Sequence, residues 1–230
     1  MNAMMKKITA VTLLGSGVLL LVYLGGFDAA RELEEAEWAY RHFDCDQAIR
    51  HARRAAYSQE GKTAARAWTI AAKASERCGR NTVASIYIEK AIASDARCAK
   101  CYLFRGDLRY KAKKYKDAIE DYSRAFVQIS PFRRDEAAFY LARRGISLLR
   151  VGRVKEGCSD ARSATGSDPS SPLAHFAKSF CLEKSGHLQA ALKEAQKGYE
   201  LGMLSRDFLS QEGSEWAKYL SRLALAAAKK

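Results

Sequence analysis

One arrangement of small and bulky side chains returns along this chain about every 34 residues. It is clearest from Ala99, where Tyr102, Gly106, Tyr115, Ala118, Tyr122 and Ala125 lead to Pro131. The stretch after it keeps the register with Leu141, Gly145, Leu148, Gly152, Gly157, Ala161, Ala164 and Pro169. The stretch before it does so with Trp68, Ala72, Gly79, Ala84, Ile88 and Ala91. A last copy holds Ser179, Gly186, Leu188, Ala191, Ala195 and Gly198. A weaker first copy, with Leu33, Ala36, Tyr40, Phe43, Ala48, Ala52 and Ala55, looks one residue short at its middle. Only three prolines among 230 residues leave too few breaks for an all-β chain. The abundant Ala, Leu, Lys, Arg and Glu are helix formers. A repeat of this length cannot bury its apolar face alone, so neighbours stack and share one continuous core. The pattern therefore predicts an all-α stack of helical hairpins, whose small residues let paired helices approach and whose bulky ones fill the gap.

An early aromatic, a glycine four residues on, then Tyr, Ala, aromatic and Ala together resemble the tetratricopeptide repeat. The resemblance covers about 30–205, nearly all of the chain beyond its apolar start. It implies a right-handed α-solenoid over 28–205 of about five hairpins: 30–62, 65–98, 99–132, 138–171 and 172–205. Residues 206–230 would be a capping helix and tail, since Trp216, Leu220, Leu223 and Ala224 fall at helical spacing and Lys218 and Arg222 argue against membrane insertion there. In such solenoids the first helix of each hairpin lines a concave groove. The matching register points Lys73, Arg77, Asp107, Tyr110, Lys111, Arg143, Arg150, Phe176, Phe180 and Lys184 towards it. Basic heads among aromatics suit a peptide with acidic and apolar residues. The alternative for each is an ordinary solvated face or, for Phe176 and Phe180, core between repeats. Some relatives grip a terminal carboxylate with paired lysines, asparagines and an arginine. Leu103, Asp107, Ala142 and Ile146 stand at matching positions, so that clamp is absent.

The chain's start reads differently. A short basic segment, 1–7 with Lys6 and Lys7, precedes an uncharged run over 8–27. Twenty residues at about 1.5 Å each span roughly 30 Å, a bilayer's hydrocarbon thickness. A secretory signal normally has a shorter apolar region of about 7–15 residues and a small-residue cleavage site. The run therefore predicts an uncleaved transmembrane signal-anchor helix, with a removed signal peptide as the rival. The basic start favours an N-terminus inside.

Six cysteines sharpen the compartment. In the repeat register Cys45 begins the second helix of unit one and Cys78 ends the first helix of unit two, where antiparallel neighbours meet. Cys158 lies four residues further along its helix than Cys45 does, and Cys181 four residues further back than Cys78. One rule therefore pairs 45 with 78 and 158 with 181, leaving Cys98 with Cys101. The alternative is six small buried hydrophobes. A haem attachment site needs histidine after the second cysteine, where Tyr102 stands. No βαβ setting supports a thioredoxin-type site, and no second CxxC or HxxxH supports zinc. Bonded cysteines imply an oxidising compartment, here the bacterial periplasm.

The net charge is +13 with His neutral, and every unit after the first is basic, most densely at Lys111, Lys113, Lys114 and Lys116. Nucleic acid is a poor partner for a tethered, disulfide-bonded chain, so an acidic protein or anionic lipid headgroups are the better candidates. Four scattered histidines and the lack of a nucleophile constellation, metal cluster or phosphate loop point away from an enzyme and from any cofactor. The sequence thus predicts a non-enzymatic scaffold in the bacterial inner membrane. Its periplasmic solenoid would bind partner segments and support a secretion, pilus, flagellar or cytochrome-maturation type of complex. Two alternatives stand beside it. One is a chaperone-like holder of exported clients with a redox role for Cys98 and Cys101; the other is an anchored receptor with a cytosolic solenoid.

Overall fold

A computed structural model describes residues 28–128, 134–203 and 213–228. The expected membrane segment, 8–27, lies outside the described residues. Eleven helices are found among those described: α1 (Ala29–Arg41), α2 (Cys45–Tyr57), α3 (Gly61–Arg77), α4 (Asn81–Ser94), α5 (Ala99–Lys111), α6 (Tyr115–Val127), α7 (Arg134–Arg150), α8 (Val154–Ser167), α9 (Pro172–Lys184), α10 (Leu188–Met203) and α11 (Gly213–Ala228). The first ten form five hairpins, each packed on the next, and α11 packs on α10 at the C-terminal end. None of these helices is long and apolar enough to cross a membrane.

The five hairpin turns share one conformation. Each has three residues, and the middle one is left-handed: Phe43 (φ 64°), Gly79 (72°), Lys113 (60°), Gly152 (82°) and Gly186 (80°). The third turn residue then donates its N–H five residues back, Asp44 to Ala39, Arg80 to Ser75, Lys114 to Arg109, Arg153 to Leu148 and His187 to Leu182, at 2.8–3.0 Å. This is the Schellman closure, which satisfies carbonyls that a helix end leaves orphaned. Turn one is therefore full length, contrary to the sequence reading. It lacks the glycine that marks three of the other turns, and the register was obscured by that substitution.

Packing explains the small residues. Gly106 of α5 faces Tyr122 of α6, and a Cβ there would stand 2.6 Å from the ring. Alanines 48, 72, 84, 118, 125, 161, 191 and 195 are wholly buried where paired helices touch. At the C-terminal end Trp216 of α11 stacks on Phe176 with centroids 3.8 Å apart, and Tyr219 stacks on Phe180 at 4.5 Å. Phe176 is 0% exposed and Phe180 5%. Both were expected in the groove; the cap covers them instead, so their burial stabilises the last hairpin rather than a ligand.

A charged pair recurs inside three hairpins. Arg105 bonds Asp121, Arg144 bonds Asp160 and Lys178 bonds Glu194, at 2.6–2.7 Å. Each partner sits eight residues from the middle of its turn, one before and one after. Unit two has Ala71 and Tyr87 at those places, and there Tyr87 stacks on Trp68.

Candidate peptide-binding groove

The first helices line one concave side. α1 packs against α3, α3 against α5, and α7 against α9. A groove of about 710 Å³ runs across α3, α5 and α7 from the turn after α1. Its lining falls at helical spacing: Lys73, Glu76 and Arg77 on α3; Leu103, Asp107, Tyr110 and Lys111 on α5; Glu136, Phe139, Tyr140 and Arg143 on α7. Lys100 adds a cation from the first turn of α5, and Tyr40 and Phe43 close the end nearest α1.

Six of the ten residues expected in the groove line it: Lys73, Arg77, Asp107, Tyr110, Lys111 and Arg143. Arg150 is exposed just beyond, with its guanidinium 4.7 Å over the Phe180 ring. Lys184 is exposed at the end of α9 and is not part of this lining. Sequence reasoning missed Tyr40, Phe43, Glu76, Lys100, Glu136, Phe139 and Tyr140 as groove residues. Phe43 carried a signal, because it stands where Gly79, Gly152 and Gly186 recur.

Charge within the groove is unevenly balanced. Glu76 is bonded by Lys111 at 2.5 Å. Asp107 accepts from the Tyr122 hydroxyl at 2.9 Å and lies 3.4 Å from the Arg143 guanidinium. Arg77 lies 3.8 Å over the Tyr40 ring and 4.7 Å from that of Phe43, and donates to the Tyr40 carbonyl at 2.5 Å. Lys73 has no hydrogen bond or ion pair among the described residues. Burial pushes its ammonium below the usual lysine range; Lys100 and Arg77 push the same way, against Asp107. Burial also raises the phenols of Tyr110 and Tyr122. The groove therefore offers positive charge whose own carboxylates are already engaged.

Three disulfides brace the stack. Cys45 is bonded to Cys78 across units one and two, and Cys158 to Cys181 across units four and five, with Cα atoms 6.4 and 5.1 Å apart. Cys98 is bonded to Cys101 over one helical turn at the start of α5, Cα atoms 5.2 Å apart.

Residues 77–133 match the tetratricopeptide repeat family. Over its whole length the stack has the fold of a tetratricopeptide solenoid. The human protein DnaJ homolog subfamily C member 7 (Homo sapiens) is 28% identical over 105 residues, 46% of this chain and 20% of that protein. The match thus spans about one fifth of the relative's length. Among solved structures, YrrB, described as a tetratricopeptide protein with an unusual peptide-binding site, superposes with a TM-score of 0.61 at 19% identity, covering 88% of this chain and 93% of its own. MamA gives a TM-score of 0.59 at 16% identity, with 76% and 92% covered. The Cut9–Hcn1 hetero-tetramer of the APC/C gives 0.68 at 12% identity, with 85% and 36% covered. Tetratricopeptide proteins generally act as protein–protein interaction scaffolds that bind peptide segments.

Proposed function

We propose that this chain is a non-enzymatic scaffold that holds a segment of a partner protein in the concave groove of its solenoid. The observation carrying the reading is the groove itself, some 710 Å³ of aromatic and basic lining on one face of a disulfide-braced stack. A rigid groove loses little entropy on binding, which favours capture of an extended chain. The peptide-binding site named for YrrB supports the same use of this fold.

The uncharged run 8–27 supports an inner-membrane anchor, and three disulfides support an oxidising compartment. We place the solenoid in a bacterial periplasm, where it supports an envelope complex.

A photo-crosslinking amino acid at Leu103 or Tyr110 tests the binding face, with Lys155 on α8 as the comparison. Defined adducts from the groove sites alone are expected; equal adducts from both faces overturn the reading. A thiol count in intact cells tests the compartment, since a cytosolic solenoid has six free thiols.

A further inference from the structure

Phe43 is the least economical residue in the fold. It is 74% exposed, and its backbone is left-handed, at φ 64°. Three of the other four turns put glycine at the equivalent place. A side chain in that conformation crowds its own backbone, and a bulky apolar ring left largely in water gains little from burial. Strain at a turn points to a use beyond the turn.

Its surroundings define the use. The Phe43 ring forms the mouth of the groove, next to the Arg77 guanidinium held over Tyr40. Lys73 and Lys100 line the same groove. Lys73 is half-buried and has no ion pair among the described residues, while the nearby carboxylates of Glu76 and Asp107 are occupied. A half-buried cation without a partner attracts an incoming carboxylate, and in a groove that attraction is screened less than on an open surface. The chain's own outlying ends are no match, because Lys6 and Lys7 lie in one and Lys229 and Lys230 in the other.

We propose that the Phe43 end of the groove is a seat for an acidic segment of a partner protein, with side-chain carboxylates on Lys73 and Lys100 and an apolar side chain against Phe43. This rests on the groove's proposed role in holding peptides and names the chemistry of its occupant. It differs from terminal-carboxylate capture, because the seat takes side-chain carboxylates within a chain.

The probe is a fluorescein-labelled dodecapeptide with blocked ends, four glutamates and one phenylalanine, titrated by anisotropy against the full chain in detergent. Lys73→Gln and Lys100→Gln should each weaken binding about tenfold, the loss of one charge-assisted bond. Phe43→Gly should weaken it similarly while raising the melting temperature by about 2–4 °C, as the turn relaxes. Lys113→Gly, at the matching turn but away from the groove lining, should raise the melting temperature and leave binding unchanged. Equal affinity for a peptide with glutamine in place of glutamate overturns the proposal, as does unaltered binding by Phe43→Gly. Full displacement by a single-stranded oligonucleotide but not by unlabelled peptide overturns it in favour of nucleic acid. If a neutral peptide binds at Tyr110 and the acidic one does not, this seat fails while the groove's role stands. If no peptide of any charge binds, the role itself fails.

Discussion

The Tyr122 ring lies so close to Gly106 that a Cβ there would stand 2.6 Å from its Cε1 atom, while its hydroxyl donates to Asp107 in the groove at 2.9 Å. Tyr122 is 0% exposed. The same side chain thus sets the approach of α5 to α6 and fixes a groove carboxylate, joining core packing to the binding face.

Gly106→Ala tests that joint. The added methyl meets a buried ring with no room to retreat, so we expect a loss of about 1–3 kcal/mol, read as a lower urea midpoint. A shifted ring also releases Asp107, so peptide affinity should fall in the same variant. Unchanged affinity with lowered stability would show that the hairpin tolerates the shift without passing it to the groove.

Alkaline titration should unfold the solenoid earlier than neutral stability suggests. Burial holds the Tyr122 phenol well above its ordinary value, and the Asp107 carboxylate pushes it the same way. Burial likewise raises Tyr219, on the cap face turned to α9. The unfolded chain gives up these protons near pH 10. Above that pH the folded state binds more protons than the unfolded one, so stability falls as pH rises. Melting temperature should begin to fall near pH 10, and Tyr219→Phe should flatten the decline.

The hairpins were legible because their signals are local. Gly79, Gly152 and Gly186 mark turns by their conformational freedom, and Gly106 marks a close approach by its missing side chain. The cysteine pairing was legible for a related reason, since two helices in a known register have few places to meet. The charged pairs such as Arg144 and Asp160 also carried a signal, a spacing of sixteen residues centred on the turn. It went unread because pairs at that distance look unrelated along a chain. Phe176 and Phe180 could not be placed: a first-helix position faces either the groove or the cap, and only the docking of α11 decides which. Phe43 hid its turn, because a phenylalanine stands where three other turns carry glycine.

Reduction should divide the disulfides into two classes. The bonds Cys45–Cys78 and Cys158–Cys181 close loops of 33 and 23 residues between hairpins. Removing either by Cys→Ser pairs should cost about 2–4 kcal/mol, mostly by freeing the unfolded chain. Cys98–Cys101 closes three residues within one helical turn, and its removal should cost clearly less. Urea unfolding of the three double variants checks the order. An insulin-reductase signal lost in Cys98→Ser would give that bond a redox role as well.

The Asp121 carboxylate should be the costliest single charge to remove. Its side chain is 1% exposed, and Arg105 and Arg109 both bond it, at 2.7 and 2.8 Å. Asp121→Ala leaves the largely buried Arg105 guanidinium with only the solvent-exposed Glu89 to balance it. Breaking a buried pair from one side costs about 3–5 kcal/mol. Removing both partners is a different experiment, because no charge is stranded. Unit two already holds the apolar version, Ala71 with Tyr87, and its hairpin closes with the same turn. Arg105→Met with Asp121→Leu should therefore recover most of the stability that Asp121→Ala loses. Such recovery, measured by urea unfolding, would assign the pair to choosing the register of α5 against α6 rather than to stability; a double variant as weak as the single one would make the pair a net stabiliser.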